Sequence, residues 1–118
     1  MNISIILPFY NEEETIGLTI ECLKNQALVA NEIIFVDSGS NDNTVKIIND
    51  AAIKHPILNI KVFFSGKKSP SSSINLGIKK STNNMIIYMD CGLDIPLNWI
   101  ESQVASYNEK KIDIISGR

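Results

Sequence analysis

The segment Ile3-Ser4-Ile5-Ile6-Leu7-Pro8-Phe9-Tyr10-Asn11-Glu12-Glu13 decides the fold. Its first five residues are Ile and Leu around a single Ser, without the polar alternation of a strand that keeps one face wet. Such a run is expected in a strand covered on both faces, as in a parallel sheet between helices. Pro8 ends the run. Asn11 is placed to cap a helix, with Glu14 three residues on as in a capping box. Ile16, Ile20, Leu23 and Ala27 then recur at helical spacing and form one apolar face.

The same strand-then-helix unit repeats outward from this segment. Glu32–Val36 is a second strand, Asp37 through Asp42 a polar turn, and Val45, Ile48 and Ala52 line a second helix. The polar–apolar alternation of Asn59–Phe64 places a third strand toward a sheet edge. A loop from Ser65 leads to Pro70, which suits a first helical turn, and Ile74 and Ile78 mark a short helix interrupted by Gly77. Met85–Met89 is a fourth strand and Asp90–Asp94 a loop. Pro96 opens a helix with Leu97, Ile100, Val104 and Tyr107 as its buried stripe, and Ile112–Ser116 is a fifth strand. Strands separated by helices imply right-handed crossovers. The expected fold is therefore α/β, a Rossmann-like, mostly parallel sheet of about five strands flanked by helices, in one domain over residues 1–118.

Composition agrees with that architecture and narrows the function. The chain has 118 residues, 44% of them apolar, enough for a core without staples. A formal net charge of −2 argues against a nucleic-acid partner, which a basic stripe would serve. No apolar run approaches the roughly 20 residues a membrane helix needs, so no transmembrane segment is expected in the sequence. Cys22 and Cys91 are far apart and read as reduced thiols that pack rather than react. His55, beside Pro56, lacks the company for a metal site or a triad and is expected at the surface.

In a parallel sheet, ligands bind beyond the carboxyl ends of the strands. Here those positions carry Pro8 to Glu12, Asp37 to Ser40, Ser65 to Ser72, and Asp90 to Asp94, so acids, hydroxyls and glycines gather on one rim. Neither G-x-G-x-x-G nor the P-loop pattern occurs. Tyr10 offers a face on which a base could stack, the carboxylates offer acceptors for a base N–H or a ribose, and the hydroxyl-rich start of the third helix suits a phosphate. A carboxylate can also hold a divalent ion against a diphosphate. Base, sugar, diphosphate and metal together describe a nucleotide-sugar pocket.

The ordered set Ile3 to Glu13, Ile33-Ile34-Phe35-Val36-Asp37-Ser38-Gly39-Ser40-Asn41-Asp42-Asn43-Thr44, Asn75-Leu76-Gly77-Ile78 and Ile87-Tyr88-Met89-Asp90, followed by Pro96 and Trp99, resembles family 2 glycosyltransferases of the GT-A fold. The resemblance implies a nucleoside pocket lined by Pro8, Tyr10 and Glu12, with Asp37 hydrogen-bonding the base, usually uracil, and Ser38 and Asn75 near the donor. It implies that Asp90 is the first acid of a D-x-D motif beside the sugar diphosphate and Mg²⁺ or Mn²⁺, with Asp94 as the other candidate metal ligand. The second acid of that motif would stand at position 92, where this chain has Gly92. Position 38 carries Ser38 instead of a second acid, and Ile74 occupies the place of a common Arg. The implied reaction is inverting transfer of a sugar from a nucleotide diphosphate sugar, a UDP-sugar by the base contact, to a saccharide, lipid or protein acceptor. A cytoplasmic location, at the inner face of the membrane, and a role in cell-envelope polysaccharide go with it. No catalytic residue is expected in the chain: by the same resemblance the general base and the acceptor half lie beyond Arg118, which makes this the donor-binding half of an incomplete fold.

Plainer roles stand beside these. Tyr10 could cover the sheet, Asp42 could cap the second helix, Glu13 and Glu14 could answer a helix dipole, and Asp94 could serve the turn before Pro96. Lys67 and Lys68 read as a solvated pair, Gly77 as a close helix–sheet contact and Trp99 as a core anchor. Two other functions compete. A signalling receiver domain would need an acidic pair after the first strand, a phosphorylatable Asp after the third and a Lys after the fifth, where Tyr10-Asn11-Glu12, Ser65 and Arg118 stand instead. A non-catalytic nucleotide-binding or assembly module of the same fold is the alternative that remains.

Overall fold

A computed structural model describes residues 2–66, 70–83, 85–110 and 114–116. Five strands form one sheet: β1 (Ile3–Phe9), β2 (Glu32–Asp37), β3 (Ile60–Phe64), β4 (Met85–Tyr88) and β5 (Ile114–Ser116). Their order is β3-β2-β1-β4-β5, and every neighbouring pair is parallel. The helices are α1 (Ile16–Lys24), α2 (Thr44–Lys54), α3 (Pro70–Lys80) and α4 (Trp99–Lys110), with a short 3-10 turn at Pro56–Leu58. β3 lies at an edge and β1 in the centre, as their polar alternation and its absence implied. Lys67, Lys68 and Ser69, the first residues of the expected fifth strand at Ile112 and Asp113, and Arg118 lie outside the described residues.

Burial explains the patterning. Ile3, Ile5, Leu7 and Phe9 of β1 face the larger core, where they meet Ile33 and Phe35 of β2 and the apolar stripes of α1, α2 and α4. Ile6, Ile34 and Val36 face the other side and pack with Leu76 and Ile78 of α3. With helices on both faces no β1 position is wet, hence the absence of alternation. Gly77 lets α3 sit directly on β1: a Cβ there would lie 2.5 Å from Cγ2 of Ile6.

Four helix expectations need correction. α1 begins at Ile16 with Thr15 as its N-cap residue, not at Asn11, because Asn11 has φ 50° and spends its amide on the neighbouring loop. α1 also ends at Lys24, which leaves Ala27 exposed in the loop that follows. Leu97 is exposed rather than buried: Pro96 opens a turn, α4 starts only at Trp99, and the buried stripe runs from Ile100 through Val104 and Tyr107. Along α2, Ala51 rather than Ala52 packs with Val45 and Ile48 against the core. Trp99 and both cysteines pack against that core as expected, and His55 is half-buried.

The amino ends of the strands close around a buried carboxylate. Glu32 is fully buried and accepts from the Ser4 hydroxyl at 2.6 Å, Lys61 Nζ at 2.6 Å and the Thr82 N–H at 3.0 Å. Burial alone would raise its pKa, but these hydrogen bonds outweigh burial and hold it down at about 2. This end is satisfied and closed. The opposite end is open.

Candidate functional site

The opening follows from one proline. In β1 the even-numbered residues turn their backbone groups toward β4, where the Met89 N–H donates to the Ile6 carbonyl at 3.0 Å. Pro8 has no N–H to carry that ladder further, so pairing of β1 with β4 stops at Ile6–Tyr88 while pairing with β2 continues to Phe9–Asp37. β1 and β4 part there. The strand order also reverses at this place, with β2 and β3 reached on one side of β1 and β4 and β5 on the other, so this is the switch point where an open α/β sheet binds ligands. The resulting cleft of about 260 Å³ is lined by Pro8, Phe9, Tyr10, Glu12, Ser38, Asp90 and Cys91.

The loops that form its walls are tied together. Asn11 takes a left-handed conformation that an Asn tolerates, donates its N–H to the Ser40 hydroxyl at 2.9 Å and accepts the Asn41 N–H at 2.9 Å. The Glu12 N–H donates to Oγ1 of Thr44 at 2.9 Å, and the Glu12 carboxylate accepts the Thr15 hydroxyl at 2.7 Å. Asp42 is not the N-cap of α2, a position held by Asn43; it accepts the Thr44 N–H at 3.0 Å in the turn just before the helix. Ser73, fully buried at the start of α3, joins its hydroxyl to those of Ser38 at 3.2 Å and Ser65 at 2.9 Å. Thr15 carries no periodic or motif signal, and Thr44, Ser65 and Ser73 stand in the sequence only as members of a quoted stretch or a hydroxyl-rich rim; their tertiary partners reveal what each does.

Of the residues singled out in the sequence, Pro8, Tyr10, Glu12, Ser38 and Asp90 converge on the cleft. Tyr10 is 51% exposed, so its ring stands open at the rim rather than covering the sheet. Asp37 is placed differently. It is buried beneath the rim, and its Oδ1 accepts the N–H groups of Gly39 at 3.0 Å and Ser40 at 2.8 Å, which shapes the turn. Asn75 is exposed on α3 and does not line the cleft. Asp94 is also outside it, 4.0 Å from the Cys22 thiol on α1. Burial pushes the Cys91 thiol up to about 12, and the carboxylates of Glu12 and Asp90 add to that. Such a thiol stays protonated and packs, as its lack of a partner His implied.

Two observations bear on a divalent cation. Among the described residues no group of three His, Cys, Asp or Glu side chains is poised to hold one. Gly92 has φ +87°, a conformation that disfavours an L side chain, and its N–H donates to Oγ1 of Thr19 at 2.9 Å. The turn itself therefore disfavours a second acid at position 92. What remains is two cleft carboxylates from different loops, Glu12 and Asp90, a donor set that fits a cation completed by diphosphate oxygens and water rather than a protein cage.

Comparison with known proteins agrees with this geometry. The model of the family "Glycosyl transferase family 2" matches residues 4–118. A cholesterol galactosyltransferase of Borreliella burgdorferi is 31% identical over 94% of this chain and 30% of its own length. Among solved structures, a mannosyltransferase of Pyrobaculum calidifontis in complex with GDP-Man and Mn²⁺ superposes with a TM-score of 0.82 at 21% identity, over 90% of this chain and 32% of that one. The S. aureus TarS 1-349 structure in complex with UDP-GlcNAc gives a TM-score of 0.73 at 24% identity, over 92% of this chain and 32% of that one. The chain spans 30–40% of the length of the first curated relatives it matches. Among the described residues no helix is long and apolar enough to cross a membrane. By the match of its sequence, the chain belongs to glycosyl transferase family 2.

Proposed function

We propose that this chain is the donor-binding half of an inverting glycosyltransferase that uses a nucleotide diphosphate sugar, a UDP-sugar in preference. The cleft where β1 and β4 part carries the reading, since it joins an open aromatic ring, two carboxylates and a hydroxyl at the switch point of the sheet. Tyr10 would stack on the base, Glu12 would accept from the nucleoside, and Ser38 would meet the donor. Asp37 would reach the base only through the oxygen not spent on the Gly39 and Ser40 N–H groups. Asp90 would hold a Mg²⁺ or Mn²⁺ ion together with the diphosphate, and a bound cation neutralises charge that develops on a leaving diphosphate. Asp94 would join only by turning away from Cys22.

In the transfer, an acceptor hydroxyl attacks the anomeric carbon in line, the bond to the diphosphate oxygen breaks, and the nucleoside diphosphate leaves with both electrons. The hydroxyl proton goes to a general base, a task assigned to no carboxylate of the cleft. The acceptor is a saccharide, lipid or protein, and a lipid acceptor suits a cytoplasmic enzyme working at the inner face of the membrane. The missing acid at position 92 favours one other reading, a non-catalytic nucleotide-binding or assembly module of the same fold.

Calorimetric titration of UDP, UDP-sugars and GDP-sugars, with and without Mn²⁺, tests the reading. Binding of a UDP-sugar that Mn²⁺ tightens is expected. No heat from any nucleotide, with the protein folded, would defeat it.

A further inference from the structure

Two threonines one helical turn apart on α1 hold opposite walls of the cleft. The Thr15 hydroxyl donates to the Glu12 carboxylate at 2.7 Å. Thr19, fully buried, accepts the Gly92 N–H at 2.9 Å and donates its own hydroxyl to the Thr15 carbonyl at 3.3 Å. Glu12 and Asp90 come from different loops, and both line the cleft. Thr19 touches neither. It holds the backbone of the turn that follows Asp90 through the Gly92 N–H.

We propose that Thr19 is a positioning residue, which through the Gly92 N–H fixes the Asp90 turn against α1 and so sets the gap between Glu12 and Asp90 in which a divalent cation and the donor diphosphate are held. This rests on the donor-binding reading above. The physical reason is the missing acid at position 92. Without it, the cation site depends on where Asp90 stands relative to Glu12, and a turn held by one buried N–H bond loses that definition when the acceptor is removed. A merely structural hydroxyl would change stability alone and leave the metal dependence of binding untouched.

The test compares the protein as it stands with Thr19→Val, which keeps the side-chain bulk and removes the hydroxyl, and with Thr19→Ser, which restores it. UDP is titrated into each with and without Mn²⁺, and exchange of the Gly92 amide is followed by NMR. Thr19→Val is expected to lose about 5- to 10-fold of the Mn²⁺-dependent gain in affinity, to bind UDP without metal within twofold of the unaltered protein, and to exchange the Gly92 amide at least tenfold faster, magnitudes on the scale of one lost buried hydrogen bond. Thr19→Ser is expected to recover both. An intact Mn²⁺-dependent gain in folded Thr19→Val, or equal losses with and without metal, would overturn the proposal. If the unaltered protein binds no nucleotide, it is the donor-binding reading that fails, and the amide then decides: selective release of Gly92 upholds the tie, and unchanged exchange removes it. Should Thr19→Val not fold, Thr19→Ala is read by the same two measurements.

Discussion

Replacing Gly77 with alanine forces α3 off the sheet. The added Cβ would lie 2.5 Å from Cγ2 of Ile6 and 3.2 Å from its Cγ1 and Cδ1 atoms, so ordinary contact requires a shift of about 0.9 Å. Ile6 cannot give way easily, because it is fully buried on the central strand and wedged among Ile34, Val36 and Leu76. Overpacking of this kind costs about 1–3 kcal/mol. Against it stands the gain of removing a glycine from a helix interior, about 0.5–1 kcal/mol. Taken at mid-range, the difference predicts a loss of about 1 kcal/mol, or a fall in Tm of about 4 °C for a domain of this size. Thermal unfolding followed by circular dichroism reads it directly. A second variant probes the cause. Ile6→Ala alone should cost about 2–5 kcal/mol, but in the Gly77→Ala background the new methyl fills part of the cavity, so the double variant should be more stable than the two losses added together by at least about 1 kcal/mol. Lifting α3 also moves Ser73 away from Ser38 on the cleft wall, so the same variant should bind nucleotide more weakly. An unchanged or raised Tm for Gly77→Ala, or strictly additive losses, would show that α3 does not rest on Ile6.

Further outcomes follow from the two ends of the sheet. Glu32 titrates near 2 in the folded protein and near 4.5 when unfolded, so its contribution is present above pH 4.5 and is lost as the pH falls toward 2. Urea unfolding at pH 7 and pH 3 should differ by about 2 kcal/mol from this group, and Glu32→Gln should flatten that dependence; an equally steep profile in Glu32→Gln would remove Glu32 as the cause. Asp37→Asn keeps an oxygen for the Gly39 and Ser40 N–H groups, so the fold should survive while UDP binding weakens by about 1–3 kcal/mol, whereas Asp37→Ala should lower Tm as well. Equal affinity in Asp37→Asn and the unaltered protein, by calorimetry, would limit Asp37 to the turn. Gly92→Asp rebuilds the acidic pattern at a position with φ +87°, so it should destabilise by about 1–2 kcal/mol and should not tighten Mn²⁺-dependent UDP binding. Tighter binding in that variant would mean that the turn relaxes more easily than its geometry implies.

Local pattern carried much of this architecture. The unalternated run at Ile3–Leu7, the strand-like alternation of Asn59–Phe64 and the helical spacing of Ile16, Ile20 and Leu23 settle strand, edge and helix because burial on one or two faces imposes a period on the chain. Helix boundaries were less legible. Asn11 with Glu14 imitates a capping box, but the Asn11 amide bonds to the loop after β2, and no local pattern reports a partner 30 residues away. Leu97 fits the apolar stripe of α4 by spacing and is exposed because the turn at Pro96 delays the helix. Five of the cleft residues were named in advance because they sit just past strand ends, where the fold class alone puts a ligand.

What the sequence determined by itself is the parallel α/β class, the rim on which polar residues gather and the family the chain belongs to. These depend on residue type and order along the chain. Only the tertiary structure decided which rim residues share the cleft, that Asp37 is turned into its own loop, that Asp94 faces Cys22, and that Gly92 has a conformation no acid accepts without strain. The reason is physical: a side chain's role depends on the partners that compete for its hydrogen bonds, and those partners come from strands and helices distant in sequence. Pro8 joins the two levels. As a residue it lacks an N–H, and only its place beside the end of β4 turns that lack into an opening.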